Sequence, residues 1–168
     1  MDRIILGIWQ NAPGWVWPLF LVLLAVGLLS MKSRRSSTIP YFFYPLFGLS
    51  AAGSVGGLVH VPLNWVAFAL CYLLGMGLAY RWQDGLILQK TGRRMQLKGD
   101  RITLAILMLI FFSNFVNGIV EAVGPQFLGA VMYTVVFASI IGAGSGSFTG
   151  RALRVITLGE RGAPLART

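Results

Sequence analysis

The chain has 168 residues, of which 56% are hydrophobic and 11% charged, with a mean hydropathy of +0.73, whereas about a quarter of an ordinary soluble domain is charged. Too little polar surface remains to wrap a soluble core, and disorder, a collagen-like repeat and a disulfide scaffold are excluded as well, the last because Cys71 is the single cysteine. A net charge of +9, from 14 Lys and Arg against 5 Asp and Glu, would suggest nucleic acid as the partner of a soluble protein. In a membrane chain it is first a question of topology.

In residues 1–10, Arg3 is balanced by Asp2 and no small-x-small pattern follows the apolar run, so a cleaved signal peptide is not expected. Ile4, Ile5, Ile8 and Trp9 suit a short helix lying in the interface. Five uncharged apolar runs of bilayer length then follow, at about 15–31, 41–61, 63–80, 102–120 and 127–146, broken only by His60 near one end. They predict an all-α integral membrane protein, a single transmembrane domain over 1–168 with five transmembrane helices. Asn11 with Pro13 in the first turn reads as a helix entry, and Asp100 places a carboxylate at the positive end of the fourth span. Pro62 and Pro125 predict tight hairpins between spans two and three and between spans four and five. Trp9, Trp15, Trp17, Tyr41, Tyr44, Trp65, Tyr80 and Trp82 near the span ends are explained by interfacial anchoring.

The loop at 86–97 predicts a small cytoplasmic β-hairpin. A turn at Thr91-Gly92 pairs Leu88 with Met95 and Leu86 with Leu97 on one apolar face, directed at the spans or at lipid. With five spans, thirteen of the fourteen basic residues fall on one side and Arg3 alone on the other. The first side carries +10 after subtraction of Asp84, Asp100 and Glu160, and the second −1 after subtraction of Asp2 and Glu121. This predicts the N-terminus outside and the C-terminal tail, 151–168, in the cytoplasm. Because topology explains the charge, nucleic acid is not an expected partner; the lipid bilayer is one, since basic residues beside spans favour an anionic leaflet.

Helices in lipid associate through close packing, and small residues permit it. Gly48, Ala52 and Gly56 in span two and Ala138, Gly142 and Gly146 in span five, a row continued by Gly150, are small-xxx-small faces. They predict that these two spans approach most closely, within one chain or across a homo-oligomer; an unwound stretch at 142–150 lining a path is the alternative. The order of hairpins also matches a 2 + 1 + 2 inverted repeat, a plan many transporters use.

Neither a catalytic nor a phosphate-binding motif is present, and His60, Cys71 and Met76 lie at different depths, so no enzyme, metal site or cofactor is expected. In span four, Ser113, Asn114, Asn117 and Glu121 follow one helical face toward the outer end, where His60 and Asn64 flank the neighbouring hairpin, with Gln126 and Tyr133 close by. Intramembrane Asn is costly against lipid. These residues therefore predict either an outward-facing polar pocket for a small solute or ion, or interhelical hydrogen bonds with His60 and Glu121 in the wet interface.

The run Asn11-Ala12-Pro13-Gly14-Trp15-Val16-Trp17, opening a span that closes on Gly27-Leu28 and an Arg cluster, resembles the start of an uncharacterised family of small multi-pass bacterial inner-membrane proteins. Gly92-Arg93-Arg94 to Lys98-Gly99-Asp100, ahead of a span containing Phe111-Phe112, is similar to that family's central segment, with Lys98-Gly99 where Pro-Gly would be expected. A more distant likeness is to CcdC-like membrane proteins associated with cytochrome c biogenesis. The resemblance implies a multi-pass membrane protein and supplies no activity or site residues. Two functional expectations follow: transport through the outer pocket, or a non-transporting assembly or scaffold role exercised through an unidentified membrane partner.

Overall fold

The computed structural model describes residues 14–159. In chain order these form α1 (Val16–Ser30), β1 (Arg34–Ser37), a 3-10 turn (Ile39–Phe43), α2 (Pro45–Gly56), α3 (Val61–Leu86), β2 (Ile87–Thr91), β3 (Arg94–Leu97), α4 (Arg101–Val123), a second 3-10 turn (Pro125–Gly129) and α5 (Val131–Thr157). The expected helical class is observed, but not the five full spans. Three helices, α3, α4 and α5, are long and apolar enough to cross a membrane. With 15 and 12 residues, α1 and α2 reach about 22 and 18 Å at 1.5 Å per residue, short of a hydrocarbon core of about 30 Å. The cause in the second run is Pro45, which restarts the chain as a helix after a 3-10 turn, and the Gly56-Gly57 pair that ends it. The predicted 1–10 interfacial helix, the Asn11 cap and residues 160–168 lie outside the described residues.

The α2–α3 turn passes through His60 with φ 63°, the left-handed region. Large apolar side chains such as Leu70, Leu74 and Leu78 on α3 and Leu109, Phe112 and Val116 on α4 are exposed, the surface expected of helices bathed in lipid.

The tightest contact joins α3 to α5, not the expected spans two and five. Gly142, Gly146 and Gly150 lie against the backbone carbonyls of Phe68, Tyr72 and Met76, so the two helices run parallel in register through equal four-residue steps. Gly75 returns the contact against the carbonyl of Ala143. The small face of α2 is used differently: Gly48 meets the Tyr72 ring, and Gly53 and Gly56 have nothing within 4 Å of where a Cβ would stand. Instead α2 contributes Ala51 and Val55, with Leu58 just beyond it, to a core shared with Phe68, Phe137, Ala138 and Ile141. On the other flank α1 packs antiparallel on α4, Gly27 against Leu104 and the Phe20 ring 5.3 Å from that of Phe111.

The hairpin between α3 and α4 is present, with its register corrected and a third strand added. The sheet order is β1-β3-β2, all antiparallel. The turn is Gly92-Arg93, Thr91 pairing with Arg94; positive φ at Gly92 alone (55°) is the pattern of a type II′ turn. An irregularity between Ile87 and Gln89 puts Leu88 out of register and leaves it exposed. The apolar face is therefore Ile87, Met95 and Leu97, and it is directed at the spans, against Tyr41, Ala152 and Val155.

Lys90 anchors this sheet: its Nζ donates to the carbonyls of Val155 (2.6 Å) and Leu158 at the end of α5, where a cation complements the helix dipole. Lys90→Met is expected to raise amide hydrogen exchange at Met95 and Leu97 about fivefold, the equivalent of about 1 kcal/mol, while exchange in the middle of α5 stays unchanged.

Candidate functional site

Every described Lys and Arg lies in the sheet or at a helix end beside it, whereas Glu121 and His60 lie at the opposite ends of α4 and α3. The two ends thus differ sharply in charge, and each offers a candidate site.

At the His60 end the residues expected to form one pocket have separate partners. His60 Nε2 is 3.0 Å from the carbonyl of Gly129. Asn64, fully buried, donates from Nδ2 to the carbonyl of Val59 at 2.5 Å, and its Oδ1 has no partner among the described residues. Asn117 Oδ1 accepts from the Tyr133 hydroxyl at 3.1 Å, which ties α4 to α5 as interhelical hydrogen bonding requires. Asn114 is exposed and donates to the carbonyl of Ile110 one turn back. Ser113 is half-buried, and Glu121 and Gln126 are exposed.

The other end holds a buried polar cluster that the sequence reading missed. Asp100 caps α4, accepting from the backbone N–H groups of Ile102 (2.9 Å) and Thr103 (3.2 Å) and from the Thr103 hydroxyl (2.8 Å). Arg151, on the stretch of α5 beyond its apolar run, closes on the same carboxylate at 2.8 Å and also donates to Thr103 Oγ1 at 2.6 Å. Both side chains are more than nine-tenths buried. The α1 end joins them: the Asp100 N–H donates to the Ser30 carbonyl at 2.8 Å. One residue, through its carboxylate and its backbone N–H, thus fixes the relative positions of α1, α4 and α5.

Burial pushes the Asp100 carboxyl toward the neutral form, but the Thr103 hydroxyl, the Arg151 charge and the Ile102 N–H outweigh it and hold the group below the usual carboxylate range. Beside the pair, Tyr41 is pushed up to about 12, first by burial and then by Tyr44, against the opposing pull of Arg34, Arg151 and Gln83. It remains a neutral hydroxyl, able to donate, at any physiological pH.

These residues surround a cavity of about 20 Å³ lined by Ser30, Arg34, Tyr41, Gln83, Leu86, Leu97, Lys98, Asp100, Thr103 and Arg151, room for a water-sized group. A second, more exposed ion pair, Arg154 Nη2 to Asp84 at 2.6 Å, links α5 to α3 beside it. The signal for the cluster lay in the four-residue glycine step, which continues past Gly146 to Gly150 and so carries the helix on to Arg151.

Three helices long and apolar enough to cross a membrane are consistent with an α-helical membrane protein. Comparison with protein-family models, with curated proteins and with solved structures gives no match.

Proposed function

We propose that this is an integral protein of a bacterial inner membrane, crossing the bilayer with α3, α4 and α5, and that it serves as an assembly or scaffold element for a membrane partner and not as a conduit. The observation that carries this reading is the α3–α5 seam. Gly142, Gly146 and Gly150 meet backbone carbonyls of α3 over two helical turns, and Gly75 meets that of Ala143, which leaves no width for a solute path between these helices. The separate partners of His60, Asn64 and Asn117 favour the same reading over an outer transport pocket. The excess of Lys and Arg in the short loops of the basic sheet end favours the cytoplasm for that end; α1 runs toward it, from Val16 to Ser30 beside Asp100, so Val16 lies on the outer side of Ser30.

Two measurements test this. In a Cys71→Ala background, Glu121→Cys is expected to react with a membrane-impermeant maleimide on intact cells, and Arg93→Cys only after permeabilisation; the reverse pattern overturns the orientation. Proteoliposomes carrying the protein are expected to pass ions and small solutes no faster than empty vesicles. Flux that is abolished by Asn117→Leu or Glu121→Gln would establish transport instead.

A further inference from the structure

The polar cavity at the basic end has more positive charge than its own acid can neutralise. Arg151 is paired with Asp100, but Arg34 and Lys98, which line the same cavity, have no ion-pair partner among the described residues. The cavity therefore carries an excess of about two positive charges. Arg151 adds an unused donor: its Nε is buried with no hydrogen-bond partner among the described residues, on a side chain 6% exposed. A buried guanidinium N–H left without an acceptor is costly, and Arg151 lines the cavity, so an anionic acceptor seated there gains from its charge.

We propose that this cavity is a binding site for a phosphate group, entered by one terminal oxygen. Its volume of about 20 Å³ takes a single oxygen and not a whole tetrahedral anion. The remaining oxygens then lie at the mouth, between Lys98, which is exposed, and Arg34, which is half-buried on β1. Tyr41 and Gln83 add uncharged polar groups to the lining. Asp100 does not repel the ligand strongly, because Arg151 Nη1 and the Thr103 hydroxyl already occupy its Oδ2 and the Ile102 N–H its Oδ1. The phosphate can come from solution or from the headgroup of an anionic lipid, since the site adjoins the ends of the membrane helices.

The test uses the whole protein in phosphatidylcholine vesicles and measures its thermal unfolding midpoint. One arm titrates sodium phosphate against sodium chloride at equal ionic strength; the other replaces part of the phosphatidylcholine by phosphatidylglycerol. A saturable rise in the first arm identifies free phosphate, and a rise in the second identifies the lipid headgroup. In either case Arg34→Gln and Lys98→Gln, rim changes outside the Asp100–Arg151 pair, are expected to raise the half-saturating phosphate or phosphatidylglycerol content about tenfold each without changing the ligand-free midpoint. No rise beyond chloride in the first arm together with none in the second, or a rise that both variants leave intact, overturns the proposal.

Discussion

Gly146→Leu is expected to separate α3 from α5 and unfold the helix bundle, while Gly53→Leu leaves it intact. A methyl group placed on Gly146 overlaps the backbone carbonyl of Tyr72, and one on Gly142 stands 2.5 Å from the carbonyl oxygen of Phe68, against about 3.3 to 3.6 Å for a relaxed contact of carbon with a carbonyl oxygen. The obstacle is backbone, which cannot rotate aside as a side chain can, so one helix must move bodily. Even Gly146→Ala should then cost about 1–3 kcal/mol, although helix propensity alone would favour alanine by about 1 kcal/mol; the opposite sign of the two effects makes the substitution decisive. The bulkier leucine exceeds it. At Gly53 nothing stands within 4 Å, and the same substitution only adds apolar surface. Reversible unfolding in mixed micelles, followed by circular dichroism, reads both. A Gly146→Leu protein as stable as the wild type would mean that the α3–α5 seam is not the contact that holds the bundle.

Which features were legible in the sequence follows from the range over which each is decided. Asp100 caps α4 as its position before an apolar run implies, because a cap is settled by the neighbouring three residues. The hairpin was legible for the same reason, and its turn slipped by one residue because Gly92 takes its positive φ at the first position of the turn and not at the second. Helix length in the first two runs was not legible. Hydropathy counts apolar residues irrespective of dihedral angles, so Tyr41 to Tyr44 were counted as span although they belong to a 3-10 turn and its end. Strand β1, with the sequence Arg34-Arg35-Ser36-Ser37, has neither alternation nor β-branched residues; it is a strand because β3 offers it an edge, a tertiary effect. The small face of α5 packs on a helix and that of α2 does so only at Gly48, because a stripe of glycines does not name its partner: the groove for α5 is made by the carbonyls of Phe68, Tyr72 and Met76, which any sequence possesses. The buried Arg151–Asp100 pair was hidden for a related reason. A span that is taken to end at the first charge turns Arg151 into a topology marker, and its partner stands 51 residues away.

That pair governs the acid sensitivity of the fold. Asp100→Asn should be more destabilising than Arg151→Met, although both remove the same ion pair. Asparagine caps a helix about as well as aspartate, so the first change isolates the loss of charge. It leaves Arg151 as a buried cation without a counter-charge, for which about 3–5 kcal/mol is expected. The second change leaves a carboxylate that still accepts from Ile102, Thr103 and the Thr103 hydroxyl at the positive end of α4, and the loss is correspondingly smaller. The double variant should cost less than the two single losses added together, since no unpaired charge remains. The pH dependence has a definite sign. The folded-state pKa of Asp100 lies below its unfolded value, so its contribution is fully present above the ordinary carboxylate range. It is lost from about pH 5 downward as the unfolded chain, and then the folded one, takes up the proton. Unfolding free energy measured between pH 7 and pH 3 should therefore fall toward acid in the wild type, and should fall less steeply in Arg151→Met, where the charge that helps hold the pKa down is gone. An acid limb of equal steepness in the two proteins would show that Arg151 does not set the titration of Asp100.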